Sequence, residues 1–181
     1  MTDTTLPSAG LSRRGLLKVG LLGSAFLATA GVTASLSGCS ASVPANGLAT
    51  LRSSDMGFLR ALIPVVLAGA VKAEAMPAAV EKTIAGIDYS LTRFSPEMLK
   101  LTVQLLDVLA LGVTRGPLTG VWGSWENANS AQVSGFLLRW QNSSIGLLKM
   151  GHASLLQLVM LAWYGQPDSW AHCGYSGPPT V

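Results

Sequence analysis

Charge is scarce in this sequence. Charged residues make up 12% of the 181 positions, about half the roughly 25% usual for a soluble domain. Of these, Asp3, Arg13, Arg14 and Lys18 fall within the first 38 residues, which leaves nine basic and eight acidic residues beyond them. The net charge of +3 therefore belongs mostly to the N-terminal segment. The remainder lacks the Lys/Arg-rich face that nucleic acid requires. A surface so poor in solubilising charge suits a domain covered by a partner or lying close to a membrane.

Residues that carry chemistry are as few. The chain has two cysteines and two histidines, and neither HExxH, a Walker A loop, a GxSxG elbow nor a GxGxxG after a strand is present. His152 falls in an apolar helical segment and His172 near the C-terminus, so a hydrogen-bonded or exposed histidine is the ordinary reading of each. The carboxylates are scattered, with no pair at helical spacing inside an apolar segment that would tune an acid/base couple. No metal site and no catalytic residue is expected, and an enzyme is the least supported reading.

Strand-like alternation is missing after residue 50, whereas helical spacing recurs. The expected fold is all-α, a small bundle of about five helices followed by an extended Gly/Pro/aromatic C-terminal tail. A first helix opens after Ser53 or Ser54 and carries Phe58, Leu59, Leu62 and Ile63, with Pro64 ending or kinking it. A second is expected from about Pro77 to Tyr89, with its proline tolerated at the start. A third runs to about Leu111 from Ser95 as N-cap, Pro96 at the first position and Glu97 in the first turn. Its polar residues Glu97, Lys100, Gln104 and Asp107 form one solvent stripe.

Residues 112 to 129, with Gly112, Gly116, Pro117, Gly120, Gly123, Trp122 and Trp125, read as a long ordered loop, with both indoles plugging the core. A fourth helix, about Ser130 to Trp140, places Val133, Phe136, Leu137 and Trp140 on one face. A fifth, about Ser144 to Tyr164, is almost wholly apolar from Leu155 onward, so a central position is expected for it. The domain organisation is then 1–38 as a signal, 39–50 as a flexible tether, 51–165 as a helical domain and 166–181 as a tail with one helical turn at Pro167 to Ala171. That tail is aromatic enough to expect docking rather than disorder.

The N-terminus runs from a polar segment through Ser12-Arg13-Arg14-Gly15-Leu16-Leu17-Lys18 to an uncharged stretch from Val19 to Gly38, the order of an export signal. The motif resembles the twin-arginine consensus, with Leu16 where Phe is commonest and Gly20, Gly23, Gly31 and Thr33 weakening the hydrophobic run. That resemblance implies export through the twin-arginine translocase after folding. Leu36-Ser37-Gly38-Cys39 is similar to a lipobox, which implies a lipid on Cys39 and a place on the periplasmic side of a bacterial membrane. An uncleaved span is the alternative, since about 20 uncharged residues reach across a bilayer core.

At the other end, an apolar helix leads into Trp163-Tyr164, Gly165-Gln166-Pro167, Trp170 and Gly174-Tyr175-Ser176-Gly177-Pro178-Pro179. This ending resembles the small subunit of flavin-dependent alcohol and sugar dehydrogenases, the gluconate 2-dehydrogenase subunit 3-like proteins, with Ser176 in place of a usual proline. The resemblance implies a non-catalytic all-α subunit with no cofactor of its own. It would bind a large FAD-containing subunit of the glucose/methanol/choline (GMC) oxidoreductase type and escort it across the membrane. Trp163, Tyr164, Trp170, Cys173, Tyr175 and Pro178 would then meet the partner. Cys173, left alone once Cys39 carries lipid, is either a buried thiol or a disulfide to that partner. A stand-alone membrane-anchored lipoprotein that binds an apolar ligand or stabilises the envelope is the reading from another class.

Overall fold

The computed structural model describes residues 43–177, and of Ala171 and His172 the backbone alone. The export motif, Cys39 and Pro178 lie outside the described residues. Within them the chain is all-α and has no strand. Seven α-helices follow in order: α1 (Ser53–Val66), α2 (Met76–Leu91), α3 (Pro96–Ala110), α4 (Gly112–Thr119), α5 (Ser130–Gln141), α6 (Gly146–Tyr164) and α7 (Pro167–Cys173). Short 3₁₀ turns at Ala73–Ala75 and Trp125–Asn127 precede α2 and α5.

Local chemistry explains most of the boundaries. Asp55 in the first turn of α1 accepts the backbone N–H of Arg52 at 2.9 Å, which fixes the helix start. Pro64 neither ends nor breaks this helix. Lacking an N–H, it removes one bond in the last turn, and Leu67 still donates to the Ile63 carbonyl at 2.9 Å. The Ser95 hydroxyl caps α3 by accepting from the Met98 N–H. Asn129 and Gln132 form a reciprocal capping box on α5, at 2.9 and 3.0 Å.

The core sits between α1, α2, α5 and α6. Phe58, Leu59, Leu62 and Ile63 from α1 meet Ile84, Ile87 and Leu91 from α2, and Val133, Phe136, Leu137 and Trp140 from α5. Phe58, Trp125, Phe136 and Trp140 form an aromatic run with ring centroids 4.9, 5.8 and 4.9 Å apart, spacings at which edge-to-face pairs attract. Two indoles also carry hydrogen bonds, Trp125 Nε1 to the Leu109 carbonyl and Trp140 Nε1 to the Leu118 carbonyl. These tie α3 and α4 to the core.

Three elements differ from the sequence reading. Residues 112–119 are helical despite two glycines and a proline. Gly116 is buried beneath the Trp122 ring, where a Cβ would come within 2.6 Å, and Gly120 at φ 80° ends the helix in the left-handed region. Tertiary contact here outweighs weak helix propensity. Trp125 is buried as expected, but Trp122 is 77% exposed, lying over α4 from outside.

The second difference is α6, which is not central. One side buries Leu155, Leu158, Val159, Ala162 and Trp163 while the other faces out. The third is the expected tether, whose described part, residues 43–50, is a closed loop. Pro44 bridges to Arg52, Ala45 donates to the Leu51 carbonyl at 2.8 Å, and Leu48 packs on the core.

Candidate partner-docking surface

Helical phase separates the two aromatic residues at the end of α6. Trp163 is buried, 7% exposed, and belongs to the core, whereas its neighbour Tyr164 is partly open. The chain turns at Gly165 into α7, and Gln166 holds that turn. Its Nε2 donates to the Lys82 carbonyl at 3.1 Å and to the Ala162 carbonyl at 2.9 Å, so one amide joins α2, α6 and α7. Ser169 is buried with its hydroxyl on the Gln166 carbonyl, and Lys82 is ion-paired with Asp168 across the surface.

The tail then folds back on its own helix. Trp170 Nε1 donates to the Tyr164 carbonyl at 3.1 Å, and the Tyr175 N–H donates to the Trp170 carbonyl at 3.0 Å. The Trp170 and Tyr175 rings meet edge to face at 5.5 Å. Gly177 lies against the Trp170 ring, close enough that a Cβ would sit 3.1 Å from it. The expected docking segment is thus already ordered through residue 177. It presents Tyr164 and Tyr175 partly exposed and Cys173 as an exposed free thiol. Of the six residues expected at a partner, Tyr164, Trp170, Cys173 and Tyr175 are brought together, Trp163 is turned inward, and Pro178 lies outside the described residues.

The outward side of α6 adjoins this cluster. Leu147, Met150, Ser154, Gln157, Leu161 and Tyr164 recur at spacings of three and four, and all are exposed, Leu147 at 73%, Met150 at 67% and Leu161 at 60%. Lys149 is the helix's one Lys, Arg, Asp or Glu. The sequence signal for this face is a helix apolar on all sides, which points to a central helix because periodicity alone does not say which side is covered.

Arg52 and Asp88 have structural partners. Arg52, buried, forks onto Asp55 at 2.9 and 3.0 Å and reaches Asp107 at 2.6 Å, and the hydrogen bond to Asp55 is the chief cause holding its guanidinium above its usual range. Asp88 is 7% exposed and accepts from the backbone N–H groups of Ala49, Thr50 and Leu51, each at 2.8 Å. Burial alone would raise its pKa, but the three hydrogen bonds together outweigh that and hold it below the usual range. An open groove of 430 Å³ runs beside Met56, Gly57, Arg60, Trp125 and Glu126. Arg60 is already paired with Glu81 at 2.9 Å.

Among the described residues no group of three or more His, Cys, Asp and Glu side chains is positioned to hold a metal, and no helix is long and apolar enough to cross a membrane. Comparison of the chain with protein-family models, with curated proteins and with solved structures finds no match.

Proposed function

We propose that this chain is a non-catalytic accessory subunit that escorts, assembles and membrane-tethers a periplasmic FAD-dependent dehydrogenase of the GMC type. The observation that carries the reading is the C-terminal cluster: Tyr164, Trp170 and Tyr175 are pinned together at the surface, with Cys173 exposed beside them at the end of the same helix. An aromatic segment fixed before binding loses little conformational freedom on docking, and that is where rigid Tyr and Trp anchors gain affinity. In this reading FAD and the substrate pocket belong to the partner, Cys173 bridges to it, and a lipid on Cys39 holds the pair at the membrane.

The escort role rests on Arg13 and Arg14. Replacing both by lysine should leave this chain and its flavoprotein partner together in the cytoplasmic fraction, followed by immunoblotting of both and by flavin fluorescence of the periplasm. A partner that reaches the periplasm at its normal level in that strain refutes the escort role.

A further inference from the structure

The loop at residues 43–50 carries no slack. Pro44 bridges to Arg52, the Ala45 N–H donates to the Leu51 carbonyl at 2.8 Å, and the Leu48 N–H donates to the Ala45 carbonyl at 2.9 Å. Carboxylates from three helices then hold its far end. Asp88 on α2 accepts from the Ala49, Thr50 and Leu51 N–H groups. Asp55 on α1 accepts from the Arg52 N–H and guanidinium, and Asp107 on α3 takes the remaining side of that guanidinium. The fastening thus begins at Pro44, five residues beyond Cys39.

Length decides what this loop can face. Five residues reach at most about 18 Å whatever their conformation, while a domain of this size is about 35 Å across. A chain held to a bilayer at this point, by a lipid on Cys39 or by the uncharged run from Val19 to Gly38, cannot turn its opposite side to the membrane. Charge agrees with that placement. No Asp, Glu, Lys or Arg occurs from Val19 to Leu51. Arg52 and Asp88 are 8% and 7% exposed and are bonded internally, while Val43, Pro44, Asn46, Gly47 and Ala49 are exposed and neutral. The loop therefore meets a lipid surface without desolvating an unpaired charge.

We infer that the face of the domain carrying residues 43–50 is held against the lipid surface, with the N-terminal end of α2 turned away from it. Glu74, just before α2, lies about 20 Å along the helix direction from Asp88. The inference rests on the membrane-tether part of the accessory-subunit reading and needs no partner chain. It holds for either form of anchor, because both end within the same few residues of Pro44. What it adds is an orientation: the tether is too short to act as a free leash, and it fixes which side of the domain faces lipid.

The test uses the full chain, purified from membranes in detergent and reconstituted into phosphatidylcholine vesicles whose headgroups carry a nitroxide quencher. In a Cys173→Ser background, Val43→Cys and Asn46→Cys are labelled with bimane, and Lys72→Cys and Glu74→Cys serve as controls. All four positions are exposed, so circular dichroism and melting temperature should be retained. Bimane at 43 and 46 should be quenched severalfold more than at 72 and 74. If the chain floats with the vesicles but quenching is equal at all four sites, or stronger at 72 and 74, the tether reading stands and the orientation falls. If the chain does not float with the vesicles, both fall. A second measurement inserts about 10 Gly/Ser residues after Ser42, adding up to about 35 Å of reach. Quenching at 43 and 46 should then drop to the level at 72 and 74 while the chain still floats. Undiminished quenching would mean that reach does not set the placement, and refutes the inference.

Discussion

Asp88 illustrates how a single carboxylate sets the point where the folded domain begins. It sits on α2, 37 to 39 positions beyond the three N–H groups it binds. Its two carboxylate oxygens take up all three, each at 2.8 Å. Removing it leaves the buried Leu51 N–H unpaired and the part-buried Ala49 and Thr50 N–H groups to water, and hydrogen bonds to a charged acceptor contribute about 1.5–3 kcal/mol each at most. Asp88→Ala should therefore destabilise the domain by about 3 kcal/mol, read by urea denaturation, with Asp88→Asn costing less because its amide oxygen still accepts. The carboxyl's folded pKa is held below its ordinary value by the three N–H groups that bind the charged form. The stabilisation it supplies is thus fully present above that value and lost as pH falls through the lower folded one. Wild-type stability should fall below about pH 4, and the Ala variant should show a shallower fall. An equal slope for both would sink the assignment.

Elements were legible where their signals are local. The Ser95-Pro96-Glu97 start of α3, the Asn129/Gln132 box on α5 and the Val133, Phe136, Leu137, Trp140 face each depend on residues within one or two turns, and each lies where sequence spacing puts it. The sequence of α4 points to a loop because Gly116 and Pro117 are poor helix formers, while the Trp122 ring that covers Gly116 is a tertiary contact. The loop bound by Asp88 looks like a tether in sequence for the same reason, since a carboxylate bonding to distant backbone leaves no pattern. In the candidate site, residue identities were readable but their orientation was not: Trp163 and Tyr164 are adjacent, and only the phase of α6 against α2 and α5 sends one in and the other out.

The contact between α5 and α6 yields a prediction of its own. Gly151 faces the Trp140 ring, and a Cβ there would come within 2.5 Å of it. That ring cannot easily retreat, because it is 2% exposed and its Nε1 is bonded to the Leu118 carbonyl at 2.9 Å. Gly→Ala inside a helix gains about 1 kcal/mol of propensity, whereas overpacking a tight core costs about 1–3 kcal/mol. With the ring held, the second effect wins, and Gly151→Ala should lose about 1 kcal/mol in thermal or chemical denaturation. A gain in stability would mean the two helices separate more freely than their packing indicates.

At the scale of the whole molecule, the proposed attachments lie at opposite ends of the chain, lipid at Cys39 and partner at the tail, with the helical domain carrying load between them. The loop at residues 43–50 is fastened to α2 by Asp88, and the tail to α2 and α6 by Gln166 and the Lys82–Asp168 pair. Force on either end is therefore received by the same helix. Cys39→Ala should release the protein from the detergent-soluble fraction into the aqueous one without altering its fold, while retention at the membrane would point to an uncleaved span or to attachment through another subunit.

Cys173 tests the other end. It is exposed and unpaired at the close of α7, beside Gly174 at φ 67°, where the chain turns toward Tyr175. Free cysteine is usually buried and inert, so under the proposed export to an oxidising compartment an exposed thiol would find a partner sulfur. Forming the bridge removes one proton from each of two thiols and passes two electrons to a periplasmic dithiol–disulfide oxidant. The product would hold the tail on the large subunit even when other contacts open, an effect of up to a few kcal/mol by loop-closure reasoning. Non-reducing electrophoresis of the purified complex should then give one band at the summed mass of the two chains, collapsing to separate bands with reductant. Cys173→Ser should abolish that band while the complex still forms at high concentration through Tyr164, Trp170 and Tyr175. A freely alkylated Cys173 in the intact complex would rule the bridge out and leave the aromatic cluster as the whole of the tail's contact.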